Sequence, residues 1–340
     1  MKKYNVVVVG ATGAVGQEIL TILKERDFPV GELRLCATAR SAGKKVVFKE
    51  QNYTVQETTA DSFDGMDIAL FAGGKASLEF ASAAVERGCV VIDNSSNYRM
   101  DPEVPLVVPE VNPDDVKKHK GIIANPNCST IIMTVPLKPI YDAVGIKRVV
   151  VSTYQAVSGA GKEGIEDLTK QTKAVLNGEE YTAKKFMHQI AFNLIPHIDV
   201  WQDMDYTKEE MKMVKETQKI FHAPDMKITA TTVRVPVYRS HSESINIETE
   251  KKITAPEVKE LLANAPGIVV QDDPANNIYP MPVHTAHKDE VFVGRIREDN
   301  SHPRAVNLWV VGDQLRKGAA TNAVQIAELV VKNGCLLEKR

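Results

Sequence analysis

The first third of the chain alternates short apolar runs with stretches whose apolar residues recur at helical spacing. Tyr4–Val9 is a continuous, β-branched run, which is typical of a strand buried on both faces, and a helical pattern follows it to about Arg26. Further strands are predicted at Glu32–Ala37, Ile68–Phe71, Val90–Ile92 and Gly121–Ala124, with a helix at Ala76–Arg87. Strands that alternate with helices in this way predict a parallel, doubly wound sheet.

The pattern changes after about residue 127, where long alternating runs have fewer helices between them. The predicted strands of this part are Val149–Tyr154, Lys227–Val237, Ser244–Glu250, Asp289–Ile296 and Asn307–Gly312. They favour a mixed or antiparallel sheet, and an amphipathic helix at about 319–332 closes the chain. The expected fold class is α/β plus α+β, with a Rossmann-like doubly wound domain at residues 1–127 and an α+β domain at 128–316.

Length, composition and charge exclude several classes of protein. A length of 340 residues suits two domains, and 43% hydrophobic with 25% charged residues is ordinary for a globular protein. The net charge of -2 offers no basic excess for nucleic acid, and no apolar run is long enough for a membrane span or a signal peptide. The four cysteines are far apart, and the pair His284 and His287, expected in a loop, lacks further ligands. We therefore expect a cytoplasmic enzyme without a metal, and no nucleic-acid or membrane partner.

Three glycines follow the first predicted strand, at Gly10, Gly13 and Gly16. Glycines between a strand and a helix let the backbone approach a pyrophosphate, and the N–H groups and dipole at the helix N-terminus favour anions. The spacing G-x-x-G-x-x-G in this setting predicts a dinucleotide site. The alternative is a merely tight turn.

The end of the second predicted strand indicates which dinucleotide would bind. Proteins that select NAD usually place an acid there for the ribose 2′-hydroxyl. This strand is followed by Thr38-Ala39-Arg40-Ser41 and then by two lysines, without a carboxylate. Arg40 and Ser41 therefore favour the 2′-phosphate of NADP, the alternative being a solvated basic loop.

A candidate nucleophile lies in Asn125-Pro126-Asn127-Cys128-Ser129-Thr130, between a predicted strand and an apolar run. Asn127 is suited to cap a helix, which would put Cys128 in the first turn. Amide donors and the positive dipole end at that position favour a thiolate. The alternative is a small buried apolar residue, which is the interpretation for the other three cysteines.

A candidate acid–base residue and a candidate anion anchor lie seven positions apart in the second domain. His241 begins a predicted strand in a polar stretch, and Arg234 offers a planar fork for a carboxylate. Seven residues of continuous strand would put the two side chains on opposite faces. A break near Pro236 is therefore required if both serve one pocket.

Thr207 and Glu210 have the spacing of a capping box that opens a helix. Glu209 and Lys212 would then share one face of that helix. Without further evidence, this pair is interpreted as an ordinary solvated ion pair.

With these motifs assembled, the chain resembles the aspartate-semialdehyde dehydrogenase family from end to end. The resemblance rests on the glycine turn, S-N-Y-R-M-D, N-P-N-C-S-T, Q-A-V-S-G-A-G and R-V-P-V-Y-R-S-H-S-E. It implies the reversible, NADP-dependent conversion of L-aspartate 4-semialdehyde and phosphate to L-4-aspartyl phosphate. In the cell this reaction runs in the reductive direction, towards lysine, diaminopimelate, methionine, threonine and isoleucine.

The resemblance also implies roles for individual residues. Cys128 would be the thioester-forming nucleophile, Gln155 would position the substrate and His241 would be the acid–base residue. Arg234 would hold the α-carboxylate of the substrate, and Glu209 its amino group. The two phosphate-site cations would be Arg99 and Lys212. The implied cofactor contacts are Gly10, Thr12, Gly13, Ala14, Val15, Arg40, Ser41, Ser158, Gly159 and Gln314.

In the mechanism that the resemblance suggests, the Cys128 thiolate adds to the aldehyde, and His241 removes the oxygen proton as hydride passes to NADP. Phosphate then displaces the thioester. The resemblance further implies that the second domain forms a homodimer, or a dimer of dimers, and that residues 317–340 return to the first domain. Two alternatives stay open: N-acetyl-γ-glutamyl-phosphate reductase, and a non-catalytic NADP-binding redox sensor.

Overall fold

A computed structural model describes residues 2–338 of the chain. These residues form two compact units. Within the described range, the first comprises residues 2–127, 219–221 and 318–338, and the second comprises Cys128–Gln218 and His222–Lys317.

The first unit is built on a six-stranded sheet in the order β5-β2-β1-β6-β7-β8, and all of its pairings are parallel. Its strands and helices, with the separate hairpin of β3 and β4, are β1 (Tyr4–Val9), α1 (Ala14–Glu25), β2 (Val30–Ala37), β3 (Lys45–Phe48), β4 (Gln51–Thr54), β5 (Gln56–Glu57), β6 (Ile68–Phe71), α2 (Gly74–Glu86), β7 (Val90–Asp93) and β8 (Ile122–Ala124). The predicted Rossmann-like, doubly wound sheet is confirmed.

The apolar run of β1 explains why helices cover both faces of this sheet. Val6 and Val8 point into a core that includes residues of α1, whereas Val7 and Val9 point into a second core that includes residues of α2. Successive side chains of a strand alternate between faces, so a continuous apolar strand must be covered on both sides. Complete burial of the four valines follows from this arrangement.

The second unit is built on another six-stranded sheet, in the order β10-β9-β11-β14-β13-β12. Its elements are α3 (Cys128–Val144), β9 (Ile146–Gln155), α4 (Lys162–Asn177), α5 (Lys208–Ile220), β10 (Lys227–Arg234), β11 (His241–Thr249), α6 (Ala255–Ala263), β12 (Ile268–Val270), α7 (Pro282–Thr285), β13 (Val291–Glu298) and β14 (Ala305–Gly312). The pairs β9–β10 and β12–β13 are parallel and the others are antiparallel, so the predicted mixed sheet is confirmed.

The final helix, α8 (Thr321–Lys332), contributes to the core of the first unit. Its buried apolar side chains include Val324, Ile326 and Val330, and α1 supplies Ile19 and Leu23 to the same core. The last part of the chain therefore stabilises the parallel sheet.

One predicted strand is too long. The sequence pattern extends it over Lys227–Val237, whereas β10 ends at Arg234 and the next strand begins at His241. Pro236 has no N–H to donate to a ladder, which disfavours continuation of the strand. The break that the sequence required between Arg234 and His241 is therefore present.

The inward face of β11 carries an unusual residue. Glu243 is fully buried, and neither of its carboxyl oxygens has a hydrogen-bond partner within residues 2–338. Burial raises the pKa of Glu243 well above its ordinary value of 4.5. Burial therefore favours the neutral carboxylic acid over the carboxylate at this position.

We expect Glu243→Gln to stabilise the second unit increasingly as the pH rises. Above pH 4.5 the unfolded chain ionises this carboxyl while the folded chain keeps its proton, so stability is lost with rising pH. Glutamine does not titrate, so its advantage in the free energy of unfolding should grow between pH 5 and pH 7. Urea unfolding followed by tryptophan fluorescence measures this, because Trp201 and Trp309 both belong to the second unit.

The matched control is Glu260→Gln, which removes an exposed carboxylate. The proposal would be contradicted if the difference in the free energy of unfolding between Glu243→Gln and the parent did not change with pH. Glu243 would then be ionised in the folded state.

Candidate functional site

The candidate nucleophile is the first residue of a largely buried helix. Cys128 begins α3 and is partly exposed, whereas the next residues, Ser129 and Thr130, are fully buried. The first turn of a helix leaves backbone N–H groups without intrahelical acceptors and carries the positive end of the dipole. A sulfur in this position is accessible and lies where a negative charge is favoured.

The candidate substrate anchor is the last residue of β10. Arg234 is buried, and its Nη1 donates to the Ala156 carbonyl at 2.8 Å, while its guanidinium lies over the Phe186 ring at 5.9 Å from the centroid. Burial lowers the pKa of Arg234, and the charges of Glu209 and Cys128 act in the opposite direction. The guanidinium stays charged, because an arginine pKa lies far above neutrality.

The candidate acid–base residue is the first residue of β11. His241 is fully buried, and its Nδ1 accepts a hydrogen bond from the Ala156 N–H at 3.0 Å. Its Nε2 has no hydrogen-bond partner among the described residues. Burial, and then the positive charge of Arg234, hold the pKa of His241 well below its ordinary value of 6.5. The ring is therefore neutral at pH 7, and because Nδ1 is an acceptor, the ring proton is on Nε2.

Gly159 shows that Arg234 and His241 line the same small space. A Cβ atom at this glycine would lie 3.1 Å from Arg234 Nη1 and 3.2 Å from His241 Nε2. These distances are shorter than usual carbon–nitrogen contacts, so the absence of a side chain leaves room for both groups. The sequence-predicted anchor and acid–base residue are therefore brought together.

Gln155, the last residue of β9, links the sheet to helix α5. It is buried, and its Nε2 donates to Glu209 Oε1 at 3.2 Å while its Oε1 accepts from the Thr153 hydroxyl at 3.0 Å. Glu209 Oε2 accepts from Lys212 Nζ at 2.9 Å. The sequence-based interpretation of Glu209 and Lys212 as a solvated pair is wrong, because only 7% and 18% of these side chains are exposed.

The predicted capping box at the start of α5 is confirmed. The Thr207 N–H donates to the Glu210 carboxylate at 2.7 Å, and the Glu210 N–H donates to the Thr207 hydroxyl at 3.3 Å. The second oxygen of Glu210 accepts from the Thr232 N–H of β10 at 3.0 Å. This bond attaches the helix to the strand that ends at Arg234, and so fixes where Glu209 lies.

Two residues that the resemblance assigns to the cofactor lie beside His241. Gln314 Nε2 donates to the Ser158 hydroxyl, and Gln314 Oε1 accepts from the Ser240 N–H at 2.9 Å. Gln314 thus bridges the segment after β9 and the residue before His241.

The glycine turn of the first unit has the features of a dinucleotide site. Gly10 has φ +84°, and a Cβ on Gly16 would lie 2.2 Å from the Gly10 carbonyl oxygen, so both positions require glycine. Gly13 caps α1 without a side-chain hydrogen bond, and both Gly13 and Ala14 are exposed. The N-terminus of α1 therefore presents backbone to an anion, as a pyrophosphate requires.

The residues expected to select NADP lie next to this turn. The Thr12 hydroxyl is 3.3 Å from the Ser41 hydroxyl, which brings the turn and the segment after β2 together. Arg40 is exposed, and no acidic residue lies between the end of β2 and Lys44. The chemistry of this edge suits an anionic 2′-substituent.

Arg99 belongs to the first unit and is buried. Its Nε donates to the Asn125 carbonyl and its Nη2 to the Asn94 carbonyl, both at 2.9 Å. These bonds fix the guanidinium plane within the loops that follow β7 and β8.

Sequence reasoning missed two contributors to the site. Ala156 acts through its backbone N–H and carbonyl, which carry no side-chain signal. Asp199, whose Oδ2 is 2.8 Å from Lys212 Nζ, lies in a loop without a recognisable motif. Residue 199 could have been found only from the three-dimensional contact.

His284 lies in the short helix α7, not in the expected loop, and residues 2–338 contain no group of three or more metal-ligating side chains suited to an ion. Within the same residues, no helix has the length and apolarity to cross a bilayer.

Two family models match this chain. The model for the semialdehyde dehydrogenase NAD-binding domain matches residues 5–119, and the model for the semialdehyde dehydrogenase dimerisation domain matches residues 137–317. The second match indicates that the protein forms a homodimer.

Relatives and solved structures agree with these matches. The chain is 61% identical to aspartate-semialdehyde dehydrogenase of Aquifex aeolicus over 338 residues, covering 98% of this chain and 99% of that enzyme. A solved structure of aspartate semialdehyde dehydrogenase II from Vibrio cholerae, complexed with ASA, has a TM-score of 0.94 and 50% identity, covering 98% of this chain and 99% of that chain. The Candida albicans enzyme solved with NADP has a TM-score of 0.77 and 26% identity, covering 98% and 100%. The chain therefore belongs to the aspartate-semialdehyde dehydrogenase family of oxidoreductases.

Proposed function

We propose that this protein catalyses the phosphate-requiring, NADP-dependent oxidation of L-aspartate 4-semialdehyde to L-4-aspartyl phosphate through a Cys128 thioester. In the cytoplasm it would run in reverse, supplying the biosynthesis of lysine and diaminopimelate, methionine, threonine and isoleucine. The observation that carries the proposal is the backbone of Ala156, whose N–H holds His241 and whose carbonyl holds Arg234. The two backbone polar groups of one residue thus orient an imidazole donor and a carboxylate anchor around a common space.

The substrate would be held at its amino-acid end. Arg234 suits the α-carboxylate because a guanidinium binds a carboxylate through two parallel hydrogen bonds. Glu209 suits the ammonium group, since it is a buried carboxylate that needs positive charge nearby. Gripping both groups would direct the aldehyde carbon towards Cys128, and positioning of this kind contributes much of an enzymatic rate.

The hydrogen bond to His241 supports a donor role for this ring in the oxidative direction. With Nδ1 accepting from Ala156, the neutral ring offers Nε2–H as a donor. When the Cys128 thiolate adds to the aldehyde, Nε2–H would stabilise the oxyanion that forms. The electron pair of this oxyanion then expels hydride and leaves a thioester, without a base.

The cofactor would bind at residues that fit it. NADP would accept the hydride when bound. Gly10, Thr12, Gly13, Ala14 and Val15 would approach its pyrophosphate, and Arg40 with Ser41 would bind the 2′-phosphate. Ser158, Gly159 and Gln314 complete the proposed contacts.

Phosphate would complete the oxidative direction. Lys212 and Arg99 would neutralise its charge as an oxygen attacks the thioester carbon and the thiolate of Cys128 leaves. The proton released overall comes from hydrogen phosphate. In reverse, the thiolate attacks the acyl phosphate and phosphate departs.

The alternatives predict other behaviour. N-acetyl-γ-glutamyl-phosphate reductase acts on an acylated amine, which carries no positive charge for Glu209 to bind. A redox sensor would bind NADP without turnover.

Cys128→Ala is expected to abolish NADPH formation from L-aspartate 4-semialdehyde, and Cys128→Ser to lower it about a thousandfold or more, because neither forms a thiolate. The assay is run with and without inorganic phosphate. Cys335→Ser, which changes the other partly exposed thiol, is the control and should leave turnover intact. Turnover without phosphate, or substantial turnover without the Cys128 sulfur, would contradict the proposal.

Arg234→Lys is expected to raise the KM for the aldehyde about tenfold or more with a smaller change in kcat, because lysine has no planar fork. Steady-state kinetics at saturating NADP and phosphate separate the two constants. An unchanged KM would remove Arg234 from the anchor role.

His241→Gln is expected to keep at least tenfold more activity than His241→Asn. The glutamine amide nitrogen reaches the region of Nε2 and can donate there, whereas the asparagine nitrogen falls near Nδ1. The comparison uses kcat/KM at several pH values, with thermal unfolding to verify folding. Equal loss in both variants would show that His241 must transfer a proton as a base.

A further inference from the structure

Lys212 is shared by two carboxylates. Its Nζ lies 2.8 Å from Asp199 Oδ2 and 2.9 Å from Glu209 Oε2. The side chain of Lys212 is 18% exposed and that of Asp199 is 29% exposed, so neither ion of this pair is fully solvated. The family resemblance assigns Glu209 and Lys212, but not Asp199.

Asp199 is held in place by its own loop. It has φ +72°, a left-handed conformation that aspartate and asparagine tolerate better than most residues. Its Oδ1 accepts from the Val200 N–H at 2.9 Å, and the Val200 carbonyl accepts from the Lys208 N–H at 2.8 Å. These bonds attach the loop to the start of α5, and so they fix the carboxylate in front of Lys212.

The ammonium group of Lys212 is already occupied by carboxylates. Burial lowers the pKa of Lys212, but the charge of Glu209 and the hydrogen bonds to Asp199 and Glu209 outweigh this effect, so the pKa is raised. Both close ion-pair partners of its Nζ are carboxylate oxygens, those of Asp199 and Glu209. A phosphate oxygen that binds this ammonium group must therefore compete with one of them.

We propose that Asp199 competes with phosphate for Lys212 and thereby sets the affinity of the phosphate site. This inference rests on the proposed function, in which Lys212 binds phosphate. When phosphate arrives, Lys212 exchanges the Asp199 oxygen for a phosphate oxygen and keeps Glu209, which lies three residues earlier on the same helix. Weak binding also helps phosphate to leave when the reaction runs in the reductive direction.

Asp199→Asn removes the negative charge and keeps the size of the side chain and its tolerance of the left-handed backbone. We expect the KM for phosphate to fall about twofold to fivefold, which is the scale of a partly exposed ion pair. The KM for the aldehyde should stay within about twofold, because Glu209 and Arg234 are unchanged. Asp199→Ser provides a second charge-free variant and should shift the KM for phosphate in the same direction.

The control is Asp203→Asn, an exposed aspartate of the same loop with no ion pair among the described residues. Its KM for phosphate should equal that of the parent. An unchanged KM in both Asp199 variants would overturn the proposal. An increased KM would also overturn it, because Asp199 would then position Lys212 instead of competing for it. Failure of the proposed function is a distinct result, since the parent protein itself would then show no phosphate-dependent NADPH formation.

Discussion

The arrangement of the second unit's site depends on the backbone of one residue, Ala156. Strand β9 ends at Gln155, directly beside Arg234 at the end of the parallel strand β10, while the antiparallel strand β11 begins at His241. The first residue after β9 can therefore donate its N–H to the imidazole and accept from the guanidinium with its carbonyl at the same time. Because the three strands are locked by their ladders, these two side chains are oriented before any substrate binds, and such preorganisation is what electrostatic catalysis requires.

Burial strengthens the electrostatic interactions of the charged groups in the site, and it also imposes a desolvation cost on each of them. Arg234 and Glu209 are both mostly desolvated, and each would be unfavourable without opposite charge nearby. The charge of Glu209 raises the pKa of Arg234, and Lys212 Nζ donates to the Glu209 carboxylate at 2.9 Å. His241 differs from these two residues because it is neutral. Burial and the charge of Arg234 both lower its pKa and so disfavour a second proton on the ring. The same two causes thus produce a charged anchor and an uncharged donor that lie side by side.

The sequence predicts those features that arise from local chemistry. The apolar run Tyr4–Val9, the box formed by Thr207 and Glu210, and the break at Pro236 each follow from neighbouring residues, and each is present in the structure. The partnership of Ala156 with Arg234 and His241 could not be predicted, because a backbone group has no sequence signature and its partners come from other strands. Asp199 was missed for a related reason. A carboxylate in a loop has no motif around it, and its contact with the ammonium group of Lys212 arises only from the fold.

Helix α5 suggests why the substrate of this family would be recognised through a free amino group. Its first turn carries Glu209, where the helix dipole favours a carboxylate, and Lys212 follows one turn later. Gln155 holds one oxygen of Glu209 from the sheet and Lys212 holds the other from the helix, so this carboxylate cannot turn away from the pocket. A substrate ammonium would pair with the Glu209 carboxylate, whereas an acylated nitrogen carries no charge for this carboxylate to bind. Discrimination between the two would therefore come from the charge at Glu209.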